Sequence, residues 1–448
     1  MGDASTEQLM TGLARVCARA NLDGPMNLTR LTGGATMESW RFEVGTAAYV
    51  LRRAPSLEFM ENRPFGHHTE AAVIRAARAT GVTAPRIVAE LEPEDEIGSG
   101  FVMEALPGTP NPKEILDFEG SGALLKEAVC DLARIHSLRP GDVPATVPIM
   151  DYRTAIADLK AQFEEAGGDR PIIALGLKWM EDNCPAPCEP VLIHGDYRMG
   201  NLLAKPGKLT GVLDWELAHF GDRHEDLAFG CMAVWRFHRY DRPALGLGSL
   251  DDYFAAYEAE AGVKVDRDRF RYWLIHRTVW WALGCLNMAR VWRSGEDRML
   301  ERVVISRRTS EQELDLLMLL EQDAPDHERA KQVAVPEAPA HMGEATDGEL
   351  AIAIYEWLGS VKNRFEGHDK FQYAVARNAL GMISRYNAAA IPAFENAPLA
   401  QRILGGKAGL ADQDLLIELR EAILATIMQD VPKYPALSVA REKWTTAG

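Results

Sequence analysis

The sequence has few of the features that mark secreted, membrane or nucleic-acid-binding proteins. Six cysteines are spread over 448 residues, and no stretch approaches the roughly 20 apolar residues of a membrane span. The first residues include acidic side chains and no uninterrupted apolar segment, which argues against a secretory signal peptide. The 49 basic and 65 acidic residues give a net charge of −16, which disfavours binding to nucleic-acid backbones and anionic membranes. We therefore expect a cytoplasmic protein with no nucleic-acid or membrane partner.

Several common cofactor and metal motifs are also missing. Pro206-Gly207-Lys208 is followed by leucine rather than by serine or threonine, so it is not a P-loop. Gly246-Leu247-Gly248 lacks the third glycine of a dinucleotide-binding fingerprint. Cys184 and Cys188 lie close together, but no second ligand pair is nearby to complete a zinc site. We interpret the cysteines as reduced thiols.

The chain is long enough for two or three domains, and its local composition changes along its length. The first hundred residues contain short apolar runs that predict a small β-rich lobe. Long helical patterns follow, with a β-rich insert, and a later stretch rich in Ala, Pro and charge predicts a linker. The expected order is an N-terminal lobe (1–104), a larger helical lobe (105–322), a linker (323–346) and a C-terminal helical bundle (347–448). This is an α+β fold with an added all-α domain.

The apolar residues of the C-terminal segment recur at helical spacing, which predicts amphipathic helices that pack as a bundle. One stripe consists of Leu350, Ile354, Leu358, Val361 and Phe365. A second stripe consists of Phe371, Val375, Ala379, Met382 and Tyr386.

Residues that carry chemistry concentrate in two neighbouring stretches. In VLIHGDYRMGN an apolar strand leads into a tight loop that brings Asn201 back toward Asp196, and in GVLDWE a second strand ends at Asp214. Phosphoryl transfer from a nucleotide needs one carboxylate for the attacking hydroxyl, and a second carboxylate with an amide oxygen to hold Mg²⁺ against the phosphates. The three side chains meet that requirement; the alternative is that they only cap turns.

The motif HGDYRMGN followed by LDW resembles the catalytic loop and the metal-binding carboxylate of the aminoglycoside phosphotransferase and choline-kinase group. The resemblance covers about residues 28–320 and implies a bilobal, protein-kinase-like fold. It also implies that Asp196 is the catalytic base or hydroxyl-orienting residue and that Asn201 and Asp214 are the Mg²⁺ ligands. Two further residues would support the catalytic loop, namely His194 and Asp226.

The same resemblance places nucleotide contacts in the N-terminal lobe and at its junction with the helical lobe. The residues expected to bind ATP or GTP are Gly33, Gly34, Arg52, Glu70, Glu104 and Leu106. Arg52 occupies the position of the lysine that is usual in this group, with Glu70 as its partner. The positive charge is kept, but a guanidinium differs from an ammonium in geometry. The alternative for Arg52 is a solvated strand arginine.

The helical lobe mixes arginine with tryptophan, although the chain as a whole is acidic. Such a mixture indicates an anionic, partly apolar acceptor, whereas a polycationic aminoglycoside would require acidic residues. The candidate acceptor-binding residues are Arg236, Arg277, Arg290 and Arg293. The alternative is that the tryptophans of this lobe are ordinary core residues and that the arginines are solvated.

Within the group, the pattern from HGDYRMGNLL to WRF looks most like the subgroup associated with acyl-CoA dehydrogenases, and the C-terminal segment resembles an uncharacterised domain found with it. Members of that subgroup are linked to phosphorylation of 4-hydroxyacyl-CoA thioesters. The resemblance therefore implies an ATP- and Mg²⁺-dependent kinase of a small hydroxylated substrate, with a hydroxyacyl-CoA as the leading acceptor. Aminoglycoside or amino-sugar O-phosphotransfer is the alternative acceptor chemistry. An alternative of another class is a nucleotide-sensing pseudokinase whose C-terminal helices recruit a partner. For either class, the C-terminal helical domain is the expected site of a homodimer or partner contact.

Overall fold

The computed structural model describes residues 6–31, 37–54, 60, 65–333, 346–386 and 396–445. The chain forms two compact units. The first comprises residues 1–151, 187–231 and 235–270, and the second comprises residues 152–186, 232–234 and 271–448. Among the described residues no helix has both the length and the apolar character needed to cross a membrane.

The first unit opens with a helix and an antiparallel sheet. Its elements are α1 (Thr6–Arg19), β1 (Met26–Arg30), β2 (Glu38–Val44), β3 (Ala47–Ala54), α2 (His67–Ala79), β4 (Ile87–Glu90) and β5 (Ser99–Glu104). The five strands pair in the order β1-β2-β3-β5-β4, and every neighbouring pair is antiparallel. The sequence predicted β2 and α2 closely, but it did not predict α1 or β1.

The sheet buries one face against α1. Phe42 on β2 lies opposite Tyr49 on β3, and both belong to a core cluster with the fully buried Leu51. Leu13 of α1 is buried in the same cluster, because an amphipathic helix places residues of one stripe against one surface. Side chains alternate along a strand, so burying Leu51 directs the next residue, Arg52, to the opposite face of the sheet.

The chain then runs through further helices and two small β-pairs. These elements are α3 (Pro112–Asp117), α4 (Ser121–Ile135), α5 (Tyr152–Glu165), α6 (Pro171–Asp182), β6 (Val191–Ile193), β7 (Leu202–Lys205), β8 (Lys208–Val212), β9 (His219–Gly221), α7 (Arg223–Phe229) and α8 (Leu250–Ala261). β6 pairs with β9, and β7 forms a hairpin with β8. In the first unit α4 packs on α8, whereas α5 and α6 belong to the second unit.

The second unit is helical. Its remaining helices are α9 (Arg267–Ser294, from Arg271 onward), α10 (Leu300–Ser306), α11 (Thr309–Leu320), α12 (Asp326–Arg329), α13 (Asp347–Ser360), α14 (Gly367–Tyr386), α15 (Asn396–Leu404), α16 (Leu415–Asp430) and α17 (Pro435–Trp444). The buried helix α11 contacts α6, α16 and α17. Directly after it, the buried carboxylate of Glu321 accepts hydrogen bonds from Arg420 (2.7 Å) and from the indole of Trp444 (2.8 Å).

A β-rich N-terminal lobe followed by a mostly helical remainder confirms the predicted fold class. The two compact units have different boundaries from the predicted domains, because α5, α6 and α11 group with the C-terminal helices. Within the expected linker, Asp326–Arg329 is helical and Val333 pairs with Thr445. The boundaries at residues 105, 323 and 347 stay predictions.

The first apolar stripe of the C-terminal segment is not buried as a whole. Leu350 and Ile354 are 55% and 49% exposed. The residues of α13 that are buried are the small Gly348 and Ala351, and a Cβ at Gly348 would lie only 2.7 Å from the carbonyl oxygen of Ser384. α13 therefore packs against α14 through small residues, which allow a close backbone approach, whereas Leu350, Ile354 and Trp357 are exposed.

Candidate active site

One buried carboxylate holds the start of the candidate catalytic loop. β6 ends just before His194, and on α7 the two carboxylate oxygens of Asp226 accept hydrogen bonds from the backbone N–H groups of His194 (2.6 Å) and Gly195 (2.9 Å). Burial alone would raise the pKa of Asp226, but the hydrogen bond with His136 and the backbone donors outweigh it and keep the pKa below its usual value. Asp226 therefore stays ionised and fixes the backbone that leads to Asp196.

His194 connects this loop to the segment that carries Asp214. Burial lowers the pKa of its imidazole, so the ring is neutral near pH 7. Its Nδ1 accepts a hydrogen bond from the backbone N–H of Asp196 (3.3 Å), which leaves Nε2–H to donate to the carbonyl oxygen of Leu213 (3.1 Å). The ring packs 4.7 Å from the ring of Trp215. His194 thus fixes the two segments relative to each other without carrying charge.

The carboxylate of Asp196 lies between two side chains of its own loop. Asn201 Nδ2 donates to Asp196 Oδ2 (2.6 Å) and to the Asp196 carbonyl oxygen (3.0 Å). Arg198 Nε donates to Asp196 Oδ1 (2.7 Å), and the guanidinium stacks on the ring of Trp235 at 4.3 Å. Burial raises the pKa of Asp196 although Arg198 opposes the shift, and the charge of Asp214 raises it further. A carboxylate with a raised pKa is a better acceptor for the proton of a hydroxyl group.

Arg52 bridges three carboxylates on the other side of the site. Its Nη2 lies 2.6 Å from Asp214 Oδ1 and 3.1 Å from Glu216 Oε2, and its Nε lies 3.1 Å from Glu70 Oε1. Asp214 has a φ of +68°, a left-handed conformation that is uncommon for a residue other than glycine. Strained backbone of this kind persists only where surrounding contacts hold it. Arg52 is therefore an interior ion-pair residue rather than a solvated strand arginine.

Glu70 has an unusual protonation equilibrium for a glutamate. Burial raises its pKa to about 7, against the opposing effect of the Arg52 charge and with the support of the nearby negative charges of Asp214 and Glu216. Three carboxylates share one guanidinium here, so the cluster carries an excess of negative charge when all are ionised. Such a cluster can accept a further cation.

The donor set fits Mg²⁺. The described part of the chain contains no cluster of three or more His, Cys, Asp and Glu residues arranged to hold a metal ion. Mg²⁺ in nucleotide sites typically takes only one or two protein carboxylates and completes its shell with phosphate oxygens and water. Asp214, with the adjacent Glu216 and the amide of Asn201, offers oxygen ligands of that kind, and the ion would neutralise the excess negative charge around Arg52.

Arg198 and Glu216 are site residues that the sequence pattern did not single out. Each stands two positions after a predicted site carboxylate, Asp196 and Asp214 respectively. Neither segment is a strand, and Asp214 itself has a left-handed backbone, so strand alternation could not have identified these two residues.

The structure places some of the residues that were predicted to contact the nucleotide, but not all of them. Gly33 and Gly34 lie outside the described residues. Glu104 ends β5, where its carboxylate pairs with Arg86 (2.6 Å) and its backbone N–H donates to the Arg86 carbonyl oxygen. The side chain of Leu106 lies over Gly211 of β8, where an added Cβ would approach Leu106 Cδ1 to 2.8 Å. Leu106 therefore packs on the strand that precedes Asp214.

The predicted acceptor arginines do not form one group. Arg236 belongs to the first unit, where its guanidinium donates to the carbonyl oxygen of Cys231 (2.7 and 3.0 Å). Arg277 on α9 is buried and stacks on Trp280 at 4.0 Å. Arg290 and Arg293 are exposed near the end of α9. Only the last two present guanidinium groups on an exposed surface.

Comparisons with known proteins agree with the geometry. A model of the "Phosphotransferase enzyme family" matches residues 27–269, more than half of the chain. Acyl-CoA dehydrogenase family member 10 of Mus musculus is 26% identical over 271 residues, which cover 54% of this chain and 24% of the relative. Hygromycin-B 4-O-kinase of Escherichia coli is 24% identical over 221 residues, which cover 46% of this chain and 62% of that protein. The chain thus spans about a quarter of the length of the mouse relative.

The fold has a counterpart among solved structures. A crystal structure from Ralstonia eutropha, provisionally described as an aminoglycoside phosphotransferase, has a TM-score of 0.56 at 19% identity, and the match covers 69% of this chain and 97% of that chain. Together these matches confirm the family resemblance and the kinase-like fold predicted from HGDYRMGN and LDW.

Proposed function

The chain belongs to the phosphotransferase enzyme family, and from this premise we propose that it is a kinase that transfers the γ-phosphoryl group of ATP to a hydroxyl group of a small molecule. The observation that carries the proposal is Asp196, whose side chain is only 15% exposed, whose pKa is raised and which is bound by Asn201 within a loop fixed by Asp226. A turn-capping aspartate would need neither the burial nor the bracing. These contacts instead position a base, which is most of what a phosphoryl-transfer enzyme supplies.

Each residue of the proposed mechanism acts through a contact described above. Asp196 accepts or orients the proton of the acceptor hydroxyl, and Asn201 fixes the carboxylate. Asp214 and Asn201 would hold Mg²⁺, which supplies charge neutralisation at the β- and γ-phosphates when bound. Arg52 contacts the phosphates in place of the usual lysine and is oriented by Glu70. The intact set of Asp196, Asn201 and Asp214 favours an enzyme over a pseudokinase.

For the acceptor we propose a hydroxyacyl-CoA. The mouse relative is named as an acyl-CoA dehydrogenase family member, and the segment that resembles this chain is part of that protein. Arg290 and Arg293 add exposed positive charge to an otherwise acidic protein, which suits a phosphate-bearing acceptor. The second candidate is an aminoglycoside or amino sugar, and the matched hygromycin-B 4-O-kinase favours it.

An acceptor panel tests this proposal. Full-length protein with ATP and Mg²⁺ is incubated with hydroxyacyl-CoAs, aminoglycosides and choline-like alcohols, and phosphorylated products are identified by mass spectrometry and phosphorus NMR. We expect product only with hydroxyacyl-CoA and only with Mg²⁺. Product with an aminoglycoside alone would replace the acceptor assignment, and nucleotide binding without product from any acceptor would favour the pseudokinase.

The arginines of α9 provide a second test of the acceptor. The double variant Arg290→Gln/Arg293→Gln should raise KM for a hydroxyacyl-CoA several-fold and leave KM for ATP unchanged, with a smaller effect at high salt because exposed charges are screened over roughly 8 Å. The matched control, Arg402→Gln/Arg441→Gln, removes two exposed arginines from the same unit. Equal KM values in both double variants would contradict the acceptor site on α9.

We also propose that the exposed stripe of α13 joins two copies of the chain. Leu350, Ile354 and Trp357 are 55%, 49% and 63% exposed. They recur at spacings of four and three, the spacing of apolar residues along the seam of a coiled coil. Trp357→Glu should convert a dimer to a monomer in sedimentation equilibrium, whereas Ile149→Glu, at an equally exposed apolar residue, should not. A monomeric wild-type protein would contradict the pairing.

A further inference from the structure

A small cavity between α13 and α14 is positively charged although the protein is acidic. It has a volume of about 300 Å³, and its charged lining residues are Lys362, Lys370 and Arg377, with no acidic side chain among the lining residues. The whole chain has a net charge of −16. Three cations around one concavity repel one another, so they are expected to gather there only if an anion offsets the repulsion.

Arg377 is held rigidly at this cavity. Its guanidinium lies 4.0 Å from the ring centroid of Tyr355 and 5.9 Å from that of Tyr373, and its Nε donates to the carbonyl oxygen of Tyr355 (3.2 Å). Tyr373 is fixed in turn, because it stacks on Phe365 with 5.0 Å between ring centroids and its hydroxyl donates to the carbonyl oxygen of Leu358 (2.5 Å). A guanidinium that is already oriented loses little side-chain entropy when it binds an anion.

Two lysines add to the positive charge of the cavity, and no acidic side chain within the described residues pairs with them. Within the described residues neither Lys362 nor Lys370 has an acidic ion-pair partner, and both are exposed at the rim of the cavity. Two exposed ammonium groups beside an oriented guanidinium supply several donors that can converge on phosphate oxygens. A carboxylate would use fewer of these donors than a phosphate.

We propose that the cavity between α13 and α14 is a binding site for the phosphate group of an organic phosphate. Its volume is at the lower end of small-molecule pockets, which suits a phosphate or diphosphate group rather than a whole cofactor. A nucleotide and a coenzyme A derivative both carry such groups, and they are the two sources of the ligand. The site lies outside residues 27–269, which match the family model, and its existence does not depend on the proposed acceptor.

Isothermal titration calorimetry with full-length protein tests the site. The probes are inorganic phosphate, ADP and coenzyme A, titrated without Mg²⁺ into wild type, into Lys362→Gln/Lys370→Gln and into Arg377→Gln. The matched control is Lys407→Gln/Lys433→Gln, which removes two exposed lysines from the same unit. Circular dichroism melting checks that each variant is folded, and because both lysines are exposed their replacement should leave the fold intact.

We expect the lysine double variant to bind at least one probe about tenfold more weakly than wild type, which is the loss of about 1.4 kcal/mol, and the control to match wild type. Loss confined to ADP would identify a nucleotide as the source, and loss confined to coenzyme A would identify the acyl carrier. If the pocket variants and the control bind each of the three probes as tightly as wild type does, the proposal is overturned. Because the readout is binding at the C-terminal helices, a failure of the proposed kinase activity would not alter it.

Discussion

Replacing Asp226 by asparagine removes the charge on which the catalytic loop is anchored. The carboxylate is fully buried and accepts hydrogen bonds from the backbone of His194 and Gly195 and one with His136. Oδ2 accepts from the backbone N–H of His194 and from the His136 ring, and Oδ1 accepts from the backbone N–H of Gly195. An asparagine can keep its oxygen at only one of these positions, so its NH₂ group must face a backbone N–H at the other.

The expected cost follows from this arrangement. One hydrogen bond to a charged acceptor is lost, at about 1.5–3 kcal/mol, and one buried N–H remains unsatisfied, at about 1–3 kcal/mol. We therefore expect the free energy of unfolding to fall by roughly 3–5 kcal/mol, which is also the usual cost of breaking a buried charged pair. For a unit of this size that corresponds to a decrease in Tm of roughly 6–20 °C.

Urea denaturation followed by tryptophan fluorescence measures this change, because Trp215 packs against His194. Steady-state kinetics of the same variant should show a reduced kcat, since Asp226 positions the loop that carries Asp196. Asp241→Asn is the control, because Asp241 forms an exposed ion pair with Arg239 in the same unit. A decrease of less than about 1 kcal/mol, within the range of an ordinary surface substitution, would refute the anchoring role of Asp226.

Three further predictions concern the same site. Gly195→Ala should abolish activity and lower Tm, because Gly195 has a φ of +83° and an added Cβ would lie 2.4 Å from the carbonyl oxygen of Leu217; a variant with wild-type Tm and kcat would contradict the geometry. Glu70 has a folded pKa of about 7 against 4.5 in the unfolded chain, so its contribution to stability is complete below pH 4.5 and is lost as pH rises to 7. Glu70→Gln should remove that component and flatten the dependence of Tm on pH over this interval, and an unchanged pH profile would show that Glu70 does not titrate there. Arg52→Lys should release Asp214, because a single ammonium cannot bridge three carboxylates. In melting experiments with ADP, the variant should therefore reach half of its maximal Tm increase at a lower Mg²⁺ concentration than wild type. An unchanged or higher Mg²⁺ requirement would show that Arg52 does not compete with the metal ion.

The catalytic loop could be predicted from sequence because its chemistry depends on a short local segment. Strand β6, the loop from His194 to Asn201 and the second strand before Asp214 lie within 24 residues, so spacing alone brings the side chains together. Strand β2 of the N-terminal sheet was likewise predictable from its alternating apolar residues, whereas β1 of the same sheet was not. In both cases local sequence determines local structure.

Other features depend on contacts that sequence spacing does not reveal. The interaction of Arg52 with Asp214 joins residues 162 positions apart, and the packing of α13 on α14 uses glycine and alanine rather than the apolar stripe. The position of α6 in the second unit likewise depends on contacts with α11 and α15, and α5 packs on α6. A helical pattern identifies an amphipathic helix, but it does not say which side packs when small residues offer a closer approach.

The central claim is that Asp196 positions the acceptor hydroxyl for phosphoryl transfer. The direct test compares wild type with Asp196→Asn for kcat with the acceptor that the panel identifies and for the Kd of ADP with Mg²⁺. Asparagine keeps the shape and the contact with Asn201 but removes the negative charge, so we predict a decrease in kcat of about 10²–10⁴-fold with a nearly unchanged Kd. A variant that keeps wild-type kcat, or one that loses ADP binding to the same extent as activity, would contradict the account.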